Sequence, residues 1–159
     1  MTNSAEKCKR PESVLVVLYN EHNEVLVLQR TDDANFWQSV TGSMEGSEAP
    51  MQTAAREVLE ETGIDLSFER RKVLGFLHYL MDCRMLNQYS IRKDWRYRYA
   101  PGVDKNVEYV FCALVPASSV ITLTEHTAYE WLTKPQAIAK VWSNSNKHAI
   151  EKFVPTFDK

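Results

Sequence analysis

Glu57, Glu60 and Glu61 fall at spacings of three and four in one short run of the chain. On a helix, such neighbours meet on one face. Left alone, these acids would repel one another and oppose the helix. A hard divalent cation such as Mg²⁺ or Mn²⁺ removes that conflict, because it prefers carboxylate oxygens and keeps several waters. A hard cation held beside a diphosphate points to hydrolysis of a phosphoanhydride. Acidic clusters on helices are usually solvated faces. That bland reading leaves Gly42, Glu48 and Arg56 unexplained, since they stand upstream at fixed spacing. Arg56 can pair with an acid of the run and hold it in register.

The element that carries these acids has a second face. Met51, Ala54, Ala55, Val58 and Thr62 recur at helical spacing and form a stripe expected to face the core. Ser47 or Glu48 can cap this helix, Pro50 suits its first turn, and Gly63 supplies the stop. Residues 13–19 are a continuous β-branched run, read as a strand buried on both faces. Residues 24–29 follow as a second strand after a turn at 20–23. Residues 72–82, with His78 and Tyr79, residues 107–115 and residues 130–132 read as further strands. Residues 83–106 look less regular, and residues 136–153 have helical spacing. The pattern predicts one α/β domain over 9–159, with a mixed sheet between two helices and a flexible terminus at 1–8.

The full run reads G-x5-E-x7-R-E-U-x-E-E-x-G-U from Gly42 to Ile64, with U aliphatic. It resembles the signature of the Nudix hydrolases at every constrained position. The resemblance implies the Nudix fold, a mixed β-sheet sandwiched between α-helices. It narrows further. The stretches at 9–19, 25–43, 98–103, 124–132 and 142–154 are similar to the bacterial branch of the family that acts on dihydroneopterin triphosphate in folate synthesis. Most of the family enters the signature through Trp-x-x-Pro-Gly-Gly, whereas this chain has Trp37, Gln38, Ser39, Val40, Thr41, Gly42. That departure is shared with the same branch.

By this resemblance Glu57 and Glu61 are the principal metal ligands, and Glu60 shares the ion or a second one. Glu125, far along the chain, completes the metal site or acts as base, and Arg56 belongs to the catalytic group. Lys9, Arg30 and Thr41 match substrate-contacting positions. Tyr89, Ser90, Ile91 and Arg92 open a segment, through Tyr99, that interleaves arginines with aromatics and suits a pterin or a triphosphate; it reads equally as an edge strand with mixed faces, and less well as a nucleic-acid patch. The implied reaction is Mg²⁺-dependent cleavage, with Mn²⁺ possible, of dihydroneopterin triphosphate to the monophosphate and pyrophosphate. The alternative is a broader pyrophosphatase of nucleoside triphosphates such as dATP, since the signature reads only diphosphate and metal. A non-catalytic nucleotide-binding module would be expected to show broken acids or an added DNA-binding domain.

Composition bounds the partners. The chain has 159 residues, a net charge of -2 and a 44% hydrophobic fraction, as in one ordinary globular domain. Such a charge gives no global attraction to nucleic acid or to an anionic membrane. The expected partner is a small-molecule triphosphate, with no nucleic acid and no membrane. Cys8, Cys83 and Cys112 lack metal-type spacing, and the first residues lack an apolar segment typical of a signal peptide. A reducing cytoplasm fits both.

Overall fold

The computed structural model describes residues 8–67 and 80–156. The expected terminus at 1–8 lies outside these but for Cys8, and so does most of the expected strand at 72–82, with His78 and Tyr79.

Strand β1 (Glu12–Tyr19) is the centre of the sheet. Its residues Val14 to Leu18 are all buried, as a strand covered on both faces requires. It pairs in parallel with β6 (Lys105–Leu114) over its whole length and antiparallel with β2 (Val25–Arg30) at its far end. Asn20 makes the β1–β2 turn: its side-chain oxygen accepts from the backbone N–H of His22 and Glu24, at 2.9 and 3.1 Å. Short strands β3 (Trp37–Gln38) and β4 (Val40–Ser43) pair with β2 and β1. Strand β5 (Leu80–Ser90) flanks β6, and β7 (His126–Leu132) flanks β2. Together they form a seven-stranded mixed sheet.

One face packs Val14, Val16, Leu18, Phe111 and Ala113 against Ala54 and Val58 of helix α1 (Pro50–Thr62). The other packs Leu15, Val17, Val110 and Cys112 against helices α2 (Lys134–Lys140) and α3 (Asn144–Phe153), through Ala137, Ala149 and Ile150. This is the expected sheet between helices.

Several expectations need correction. Residues 83–90 continue β5 rather than an irregular segment; a bulge between Asp82 and Met85, with Arg84 at φ 53°, hides the strand period. A 3-10 helix (Lys93–Arg98) follows. The C-terminal run is two helices, not one. Val141 bridges to Trp37, and Ser143 then caps α3 by accepting from Asn146 N–H at 3.1 Å. On α1, Met51 is exposed, while Thr53 and Glu61 are buried. Neither Ser47 nor Glu48 caps that helix. Ala49 holds the position, and its N–H donates to Gln52 Oε1 at 2.8 Å.

Candidate active site

Strand β4 and helix α1 build the acidic end of the site. Gly42 lies on β4 opposite Val14, and a Cβ there would overlap the Glu57 carboxyl group. The absent side chain is therefore the space that Glu57 occupies. Gly63, at φ 81°, ends α1 in the left-handed conformation that favours glycine.

Arg56 organises the acids around it. Its Nε and Nη2 donate to the two oxygens of Glu48 at 2.7 and 2.9 Å. Its Nη1 reaches Glu57 Oε1 at 2.9 Å and Glu60 Oε2 at 3.2 Å, and Nη2 also donates to the Ser43 carbonyl at 3.0 Å. One guanidinium thus ties α1 to β4 and to the intervening loop. The Arg56 hydrogen bonds hold the Glu48 carboxyl down at about 2. A group with a depressed folded pKa adds stability that is present above its ordinary value of 4.5 and is lost as pH falls through about 2. Glu48→Gln is expected to remove on the order of 1 kcal/mol of stability at neutral pH. It should also flatten the acid side of the melting profile, as pH-dependent thermal denaturation can measure. An unchanged profile would exclude the link.

Glu61 is different. It is 3% exposed, and among the described residues neither carboxyl oxygen has a hydrogen-bond partner. Burial, and then the neighbouring Glu57, push its pKa up to about 10. Burial raises Glu57 as well, opposed by Arg56. His126 Nε2 lies 3.7 Å from Glu61 Oε1 and 3.2 Å from Gln38 Nε2. Burial holds this imidazole below its ordinary value, helped by the charge of Arg30.

These groups open into a cleft of about 1420 Å³. Glu57, Glu61 and Glu125 line it, as do all the expected substrate residues: Lys9, Arg30, Thr41, Tyr89, Ser90, Ile91 and Arg92. Glu60 does not; it is half exposed and turned to Arg56. Among the described residues no three acidic, histidine or cysteine side chains are gathered into a ready ligand set. The four expected metal acids are therefore unequal. Glu57 and Glu61 face each other, Arg56 holds Glu60, and Glu125 is exposed. A divalent cation nonetheless fits, because the buried, unpartnered Glu61 oxygens beside Glu57 are the donors a hard ion takes.

Glu125 reaches this end through backbone ties. Thr124 Oγ1 donates to the Glu60 carbonyl at 2.7 Å, Thr122 N–H to the Thr62 carbonyl at 2.8 Å, and Thr31 Oγ1 to the Glu125 carbonyl at 2.6 Å. A proton-accepting role there predicts that Glu125→Gln lowers kcat more than about tenfold while KM changes little. Turnover near the wild-type rate at saturating substrate would make Glu125 a surface acid.

Cations gather at the same end of the cleft. Lys9 N–H donates to the Arg98 carbonyl at 2.8 Å. Burial lowers the Lys9 ammonium pKa, Arg98 and Arg30 lower it further, and Glu57 opposes them. Arg30 forks onto Asp32 at 2.8 and 2.7 Å and stands over the rings of Phe36 and Trp95. Arg92 stacks on Trp95 at 4.5 Å, and Phe36 stacks on Trp142 at 4.7 Å. Arg98, His126 and Gln38 also line the cleft and were not singled out from the sequence. Arg98 stood within the arginine–aromatic run, and His126 beside Glu125.

The NUDIX domain profile matches residues 9–153. The chain belongs to the Nudix family. It is 48% identical to the dihydroneopterin triphosphate diphosphatase of Escherichia coli over 147 residues, covering 92% of this chain and 93% of that one. It is 37% identical to the enzyme of the same name from Haemophilus influenzae, over 92% of this chain and 89% of the relative. The solved structure of the E. coli dihydroneopterin triphosphate pyrophosphohydrolase superposes with a TM-score of 0.81, covering 92% of this chain and 97% of the other. The chain is thus a Nudix hydrolase of the kind that splits phosphoanhydrides, and the family generally uses divalent metal ions. Among the described residues no helix is long and apolar enough to cross a membrane.

Proposed function

We propose that this Nudix hydrolase converts dihydroneopterin triphosphate to dihydroneopterin monophosphate and pyrophosphate in the cytoplasm, with Mg²⁺ as its cation and Mn²⁺ as a substitute. The observation that carries the reading is the pairing of Glu57 and Glu61 with Lys9, Arg30 and Arg98 in one cleft. The 48% identity to an enzyme of that name across 92% of the chain supports the choice of substrate. Glu57 and Glu61 would hold the cation, with Glu60 and Glu125 nearby. When bound, it supplies positive charge to the phosphate oxygens and lowers the pKa of bound water. Lys9, Arg30 and Arg98 orient the triphosphate. Arg56 keeps the Glu57 carboxylate in place, and Glu125 Oε accepts the proton of the attacking water. Water adds to one phosphorus, the bridging P–O bond breaks, and pyrophosphate leaves. Positioning and electrostatics carry such a reaction.

Product analysis with dihydroneopterin triphosphate against the common deoxynucleoside triphosphates tests the substrate. Comparable kcat/KM on dATP would replace this reading with a broader pyrophosphatase. Thorough removal of divalent cations should abolish turnover, and added Mg²⁺ should restore it. Activity that survives chelation would overturn the metal assignment.

A further inference from the structure

A second buried acid lines the cleft and plays no part in the chemistry above. Glu108 sits on β6 and is 5% exposed. Its alternation with Val110 and Cys112 places it on the sheet face covered by α3, opposite α1. Its parallel partner on β1 is Ser13. Among the described residues it has no cationic partner. Asn87 Nδ2 donates to its Oε1 at 3.2 Å. Burial raises its pKa, against hydrogen bonds from Ser145 and Asn87. Around it the lining is neutral and polar. Asn106 Nδ2 donates to Ser13 Oγ at 2.7 Å and to the Tyr89 hydroxyl at 3.0 Å. All these groups line the same cleft as Glu57 and Glu61.

The cleft therefore has two chemistries. The end with Lys9, Arg30 and Arg98 suits phosphates. The Glu108 end offers a desolvated carboxyl group among amides and hydroxyls, and suits a neutral heterocycle that donates hydrogen bonds. A buried carboxylate is costly unless donors satisfy it. A ring N–H beside an exocyclic amino group presents two parallel donors to its oxygens, as a guanidinium does.

Resting on the substrate reading above, we infer that Glu108 is a specificity-determining residue that accepts hydrogen bonds from the 2-amino group and adjacent ring N–H of a 2-amino-4-oxo heterocycle. A pterin carries that edge, and guanine carries the same donor pair. Adenine lacks the ring N–H beside its amino group and would turn a lone pair towards the carboxylate. A site built to bond such donors rejects analogues that lack them.

Pterin and lumazine make the test, because lumazine replaces the 2-amino group with a carbonyl oxygen. Each is titrated by fluorescence onto the full chain and onto Glu108→Gln. The wild type should bind pterin more than about tenfold tighter than lumazine, and the variant should lose most of that ratio. Its loss with dihydroneopterin triphosphate should fall on KM rather than on kcat. A wild-type ratio near one, or a variant that folds and keeps the wild-type ratio, overturns the assignment. If Glu108→Gln does not fold, the wild-type ratio decides alone. Hydrolysis of dihydroneopterin triphosphate is measured on the same preparation. Absent hydrolysis with ring discrimination intact overturns the substrate reading and leaves Glu108 in place. Hydrolysis without ring discrimination overturns the Glu108 assignment alone.

Discussion

Glu61→Gln is expected to lower kcat by about 10³-fold or more, equivalent to roughly 4 kcal/mol of transition-state stabilisation. The physical reason lies in its surroundings. The carboxyl is buried beside Glu57, and among the described residues neither oxygen has a hydrogen-bond partner. A cation satisfies that arrangement; an amide cannot supply the charge the cation needs. Glu57→Gln should show a loss of the same order, because Glu57 meets Glu61 across the same space. The two substitutions should differ in stability. With metal removed, Glu61→Gln should melt at a temperature equal to or above the wild type, since the buried Glu61 carboxyl, its pKa pushed up to about 10, must take up a proton at neutral pH whereas an amide is neutral already. Glu57→Gln should not gain in this way, because Glu57 Oε1 accepts from Arg56 at 2.9 Å. Single-turnover kinetics and melting in a chelator check both halves. A loss smaller than about tenfold in kcat, with unchanged circular dichroism, would remove Glu61 from the metal site.

Gly42→Ala should be nearly as damaging to turnover, although it removes no functional group. The added Cβ would overlap the Glu57 carboxyl and Cγ. Strand β4 cannot retreat easily, because Gly42 pairs with Val14 in the central strand and the Ser43 carbonyl accepts from Arg56. Glu57 must therefore move. A displacement of about 1 Å at a site of this kind costs on the order of 100-fold in rate. The stability cost should stay within about 1–3 kcal/mol, typical of overpacking. Calorimetric titration with Mn²⁺ should show weaker binding by a similar factor. Wild-type affinity and turnover in a folded Gly42→Ala protein would mean that Glu57 does not work from the observed position.

The residues that carry these two predictions were unequally visible in the sequence. The spacing of Glu57, Glu60 and Glu61 is a local property of a helix, and 3.6 residues per turn is enough to bring them to one side. The signature also set Gly42 and Arg56 at fixed distances from them. The central strand was legible because β1 is buried on both faces and so reads as an unbroken apolar run. The start of β5 falls within the strand expected at 72–82, and its continuation to Ser90 was missed because a bulge between Asp82 and Met85 breaks the period. The break between α2 and α3 was missed because Val141 is committed to Trp37, far away in the chain, rather than to helical spacing.

By itself, then, the sequence determined the mixed sheet between helices and the acids on one helix, because each follows from short-range periodicity and spacing, while the family followed from the resemblance of the run from Gly42 to Ile64 to a known signature. Only the tertiary structure decided how those acids divide their work. Arg56 draws Glu60 away from the cleft and keeps Glu57 beside it, while the buried Glu61 oxygens have no hydrogen-bond partner among the described residues. It also decided which distant residues share the cleft: Glu125 through Thr124 and Thr31, Arg98 through its backbone bond to Lys9, and Glu108 through the register of β6 on β1. Strand pairing and loop closure fix those meetings over separations of tens of residues, and no local pattern encodes them.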